Sequence, residues 1–261
     1  MTTTAIDDPK LRIGRVFGGG IGLLARNWPR VLVLALPLTF AAHVAALWVN
    51  QFAPRLHPGA LTPFFSYVLQ GWINGAVDLV PAAVLSLYFC RWAKADLEGG
   101  RKTFALGPPS RFLTLLLARM VVLITVGASQ LLFILPAVLL STIWVVMSPV
   151  VIFEGVGPIR SLARSAALTK RHRIGVFLLI LVYFLGYLAI WYGLAVALSI
   201  GARLLGPQIY AQFAFPLVYG TSALGSSIYS LLIQASGPVL YFELVRLKSG
   251  LGGPNPAAVF D

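Results

Sequence analysis

Asp78 and Arg119 are full charges set inside otherwise apolar stretches, while EGVGPIRSLARSAALTKRHRIGVF (154–177) crowds Arg160, Arg164, Lys170, Arg171 and Arg173 between two apolar runs. Such residues serve three kinds of chemistry: an ion or proton relay within a membrane, a lock between helices, or a grip on an anionic head group. Metal-assisted or hydrolytic chemistry fits poorly. The 261 residues hold 3 His and 8 Asp and Glu, and no two carboxylates are spaced for joint metal binding. The glycine-rich GGGIG at 18–22 lacks the Lys and the preceding strand of a phosphate loop; it permits close helix packing or interrupts a helix. The single Cys90 excludes an internal disulfide and a cysteine-based zinc site. The chain is therefore expected to be non-enzymatic, with no catalytic residue, no metal ligand and no cofactor.

The elements that must position these charges are helices in a bilayer. Hydrophobic residues make up 58% of the chain and charged ones 11%, with a mean hydropathy of +0.86, outside the range of soluble domains. A helix crosses the roughly 30 Å hydrocarbon layer in about 20 apolar residues. Six stretches qualify, at 31–49, 67–90, 112–134, 137–153, 175–200 and 215–241. They are apolar on all sides, unlike the alternating strands of a membrane barrel. The fold expected is an all-α polytopic membrane protein with one transmembrane domain over 1–250 and a loose Gly- and Pro-rich tail at 251–261; Leu135 and Pro136 either form the turn between the third and fourth runs, or these two runs make a hairpin with its tip in the head-group layer. The first apolar run begins near Val31, too late for a cleaved signal peptide.

Charge placement tests the count, because Lys and Arg in short loops stay cytoplasmic. With both termini inside, all of the 20 Lys and Arg fall on the inner side except Arg55, Arg203 and the intraspan Arg119. A net charge of +12 then implies an anionic phospholipid surface as partner and not nucleic acid. Interfacial helices are expected at 9–28 and 158–171. In the second, Ile159, Leu162, Ala163 and Ala166 share one face and Arg160, Arg164 and Arg171 another. These cations either anchor the topology or form a specific site for lipid phosphate. An envelope protein or a second copy of the chain are further candidate partners.

PAVLLSTIWVVMSPVVIFEGVGPIRSLARSAALTKRHRIGVF (136–177) resembles the membrane domain associated with glycerophosphoryl diester phosphodiesterases and the YciC-like bacterial inner-membrane proteins. The likeness rests on Pro136, Trp144, Pro149, Glu154, Arg164, Ser165, Leu168, Thr169 and Lys170, and on Tyr241 and Glu243 in LYFELVRLKSG (240–250). The resemblance implies a multi-pass protein of the bacterial inner membrane. It does not imply hydrolysis, since the His-Arg pair, Glu-x-Asp metal site and second His of the phosphodiesterase barrel have no counterpart here.

Counted from the flanking arginines, Asp78 lies about 19 Å deep and Arg119 nearer the surface. They can pair, Arg119 can reach the head groups instead, or the two can serve a substrate or proton. Gln70, Gly71, Asn74 and Gly75 share the Asp78 side of the second span, which is the face expected to look inward. His43 reads as a packed residue, and Gln130 and Gln234 as hydrogen-bonding glue between helices. The leading functional expectation is a protein that organises or senses lipids or envelope partners through its basic cytoplasmic face. The alternative is a transporter or flippase-like protein using Asp78. A polar cavity between the second, third and fifth spans favours transport, and a solid bundle with a flat basic rim favours the organiser.

Overall fold

The computed structural model describes residues 11–50, 63–98, 108–132, 134–205 and 207–249. The expected tail at 251–261 and the loop carrying Arg55 lie outside them. Among the described residues the elements are helices: α1 (Ile13–Arg26), α2 (Trp28–Arg30), a π-helical turn (Val31–Ala35), α3 (Leu36–Asn50), α4 (Pro63–Glu98) and α5 (Pro109–Leu132). They continue as α6 (Ile134–Trp144), α7 (Met147–Glu154), α8 (Pro158–Thr169), α9 (Arg173–Leu205) and α10 (Pro207–Ser249). Six stretches are long and apolar enough to cross a membrane, at Trp28–Val49, Val68–Glu98, Pro109–Gln130, Leu135–Glu154, Arg173–Gly201 and Gly220–Lys248. The protein is an all-α polytopic membrane protein.

Proline chemistry sets the departures from straight helices. Pro37 has no N–H to offer the carbonyl of Val33, and the helix widens into the π turn just before it. Pro136 was expected in the turn between the third and fourth spans. Instead it sits in the first turn of α6, where a missing N–H costs nothing because that donor has no intrahelical partner. The fourth span breaks lower down, at Val145 and Val146, just ahead of Pro149. Pro149 removes the bond to Val145 and its ring crowds that carbonyl, so α6 stops and α7 starts afresh with Val150 N–H donating to Val146 at 3.1 Å.

The core gathers around α4 and α10. Phe89 and Trp92 of α4, Val239, Leu240 and Leu244 of α10, and Val176 and Leu179 of α9 are fully buried together. A second cluster joins Leu115 and Ala118 of α5 to Met147, Val151 and Ile152 of α7, so the chain folds back on itself after α5. The lead-in helix α1 is uninterrupted through its glycines and packs inward. Val16 and Leu23 are fully buried, and Gly20 lies so close to Ser236 of α10 that any Cβ would collide with its hydroxyl. Phe184, Leu185, Leu188, Trp191 and Tyr192 of α9 face outward, as suits a helix whose solvent is hydrocarbon.

Candidate functional site

Five of the six spans enclose a cavity of about 390 Å³, in the size range of small-molecule sites. Its wall is mostly apolar. Its polar members include Asp78, Ser86, Arg119, Gln130, Ser141, Ser148, Gln234 and Ser236. Arg119 reaches across from α5, and its Nη2 donates to Ser86 Oγ of α4 at 2.6 Å and to Gln234 Oε1 of α10 at 3.0 Å. Ser86 in turn donates to the same Gln234 oxygen at 2.7 Å. This triad ties three spans together through one cation and two neutral groups. Elsewhere in the cavity lining Tyr183 of α9 and Ser236 share a hydrogen bond, with Ser236 also donating to the carbonyl of Leu232.

Asp78 lines the same cavity without joining the triad. Its Oδ1 is buried and has no hydrogen-bond partner, and among the described residues no ion pair links it to Arg119. His43 and Arg119 are the titratable side chains within electrostatic reach of it. His43 itself bonds through Nδ1 to the carbonyl of Thr39 one turn back, at 2.8 Å. Arg119 therefore neither reaches the head groups nor closes on Asp78; its guanidinium turns into the bundle. Eight residues, about 12 Å of helix, separate Asp78 from the serine that holds Arg119.

The inward face of the second span differs in detail from the expected one. Gly71, Gly75 and Asp78 line the cavity, whereas Gln70 and Asn74, each about 100° back around the helix, are exposed. Packing explains the choice: Leu123 sits against Gly75, and Trp72 against Gly127 of α5, close approaches that a missing Cβ favours. Ser86 was not singled out from sequence. It continues the stripe at 78, 82 and 86 by steps of four, and that spacing was the available signal. Tyr183 and Ser236 carried no comparable mark.

A separate constellation lies where α7, α8 and α10 meet. Arg164 Nε donates to both oxygens of Glu154, at 3.0 and 3.1 Å, and Tyr241 Oη donates to Oε1 at 3.0 Å. Ser165 and Thr169 of α8 donate to the carbonyl of Ile143, at 2.8 and 3.3 Å, one of the carbonyls the break in the fourth span leaves without a helical donor. Glu243 is wholly buried between Arg15 and Arg246, at 3.8 and 2.8 Å, and Asp96 faces Arg26 at 3.3 Å. Glu154, Arg164, Ser165, Thr169 and Tyr241 thus come together in space, while Trp144 and Pro149 line the cavity next to them. Pro136 stands apart in the first turn of α6.

Arg160, Lys170, Arg171 and Arg173 are exposed, beside the exposed side chains of Ile159 and Ile174. Among the described residues, Arg164 is the member of that basic group whose guanidinium is engaged by a carboxylate. No family model, curated protein or solved structure matches the chain.

Proposed function

We propose that this multi-pass protein is a non-enzymatic handler of membrane lipids that admits an amphiphile from the bilayer into the cavity beside Arg119, in the manner of a transporter or flippase. The observation that carries this reading is a mostly apolar cavity among five spans with a buried guanidinium on its wall. An intramembrane cation is costly enough that a purely structural bundle does better without one. The resemblance of 136–177 to the phosphodiesterase-associated and YciC-like membrane domains supports a place in the bacterial inner membrane, and the loop charges support cytoplasmic termini.

A second reading, an organiser held by anionic lipids at a basic rim, is favoured by the exposed Arg160, Lys170, Arg171 and Arg173 beside exposed Ile159 and Ile174. Native mass spectrometry of the detergent-purified protein separates the two. Val126→Trp, which fills the cavity, is expected to release the one lipid that survives delipidation, while an Arg160, Lys170 and Arg171 triple substitution to Gln keeps it. The reverse pattern would replace the cavity reading with the organiser.

A further inference from the structure

The cavity has two charged poles, and they are not joined. Arg119 is held by Ser86 and Gln234, both neutral, so its charge is solvated without being cancelled. Asp78 offers a buried carboxylate oxygen with no partner, two helical turns from that serine along α4. Between the poles the wall is hydrocarbon, with Leu79, Val122, Leu123 and Ile180 among its members. A ligand of single charge that satisfied one pole would meet a like charge at the other and would carry its own charge into low dielectric. A molecule bearing both signs avoids both costs, because it is neutral overall and answers each pole.

Resting on the cavity reading above, we infer that the site takes a zwitterionic ligand, with a primary ammonium at Asp78 and a phosphate or carboxylate at Arg119. The ammonium supplies three donors to a carboxylate that now has an empty oxygen, and the guanidinium's Nε, buried and without a partner, remains free for an anionic oxygen. Trp72, another lining residue, carries an indole N–H that is likewise buried and without a partner. The chemistry is shared by the head group of an aminophospholipid and by a free zwitterion such as phosphoethanolamine.

The test compares short-chain phosphatidylethanolamine, its N-acetylated form and phosphatidylglycerol at equal acyl length, titrated into the purified protein and read by native mass spectrometry. Phosphatidylethanolamine is expected to bind at least tenfold more tightly than the other two. Asp78→Asn is expected to erase that preference, Asp78→Glu to keep it, and Arg119→Gln to weaken all three lipids. Equal binding of the N-acetylated lipid by the parent protein overturns the inference without any variant having to fold. If Val126→Trp abolishes binding while the parent shows no head-group preference, the cavity reading stands and only the zwitterion fails. If Val126→Trp binds like the parent, both fail. Displacement of the bound lipid by millimolar phosphoethanolamine assigns the free zwitterion as the ligand, and resistance to it assigns the lipid.

Discussion

At the basic end of the bundle, Glu243 lies between Arg15 and Arg246, Asp96 meets Arg26, and Glu154 takes two bonds from Arg164 and one from Tyr241. In the cavity, Arg119 and Asp78 share a wall and no contact. Both regions place opposite charges within a few turns of each other, yet one closes every described carboxylate on a cation and the other keeps its two ions apart through Ser86 and Gln234. Charges that close on each other fix the relation between helices. Charges held apart leave a field that an incoming molecule can complete.

The contrast can be broken most sharply at Glu243. Replacing this fully buried carboxylate by Ala takes a counter-charge from Arg15 and an acceptor from Arg246 and is expected to cost about 3–5 kcal/mol, read by unfolding in mixed detergent micelles. A variant as stable as the parent would show that these charges do not hold the bundle. Glu154→Gln should cost about 1–3 kcal/mol, with a double-mutant cycle against Tyr241→Phe giving coupling of about 0.5 kcal/mol or more. Ser165→Ala, which leaves Thr169 as the remaining side-chain donor to Ile143, is expected to cost about 1 kcal/mol. Asp78→Asn sharpens the other side of the comparison. Because its carboxylate makes no described bond, thermal stability should change by less than about 0.5 kcal/mol while lipid selectivity collapses. A large loss of stability would mean the pole is structural after all.

The six spans were legible because the bilayer imposes a length and a polarity that few other constraints imitate, and the apolar runs at 31–49 and 175–200 fall within the spans Trp28–Val49 and Arg173–Gly201. Asp78 and Arg119 were legible as anomalies for the same reason. Their relation was not. Whether Arg119 turns toward Asp78 or toward Ser86 depends on which acceptors α10 brings across, and Gln234 lies 115 residues further along the chain. The break at Val145 and Val146 is another such case. Pro149 announced that a bond would be lost, but span continuity depended on whether something else would accept the exposed carbonyl, and the donors belong to α8. Similarly, the basic pattern of α1 suggested a helix lying on a surface, and only the fit of Gly20 against Ser236 shows how deeply its other side is packed.

The hydroxyl of Ser165 that satisfies Ile143 is synthesised 22 positions after it. A nascent chain that has delivered its fourth hydrophobic stretch to the insertion machinery therefore still carries a bare carbonyl in it, and the third and fourth spans can settle only once the following short helix has left the ribosome. A chain ending at Leu162 should hold that stretch loosely, open to thiol labelling at a Val146→Cys site that the complete chain buries.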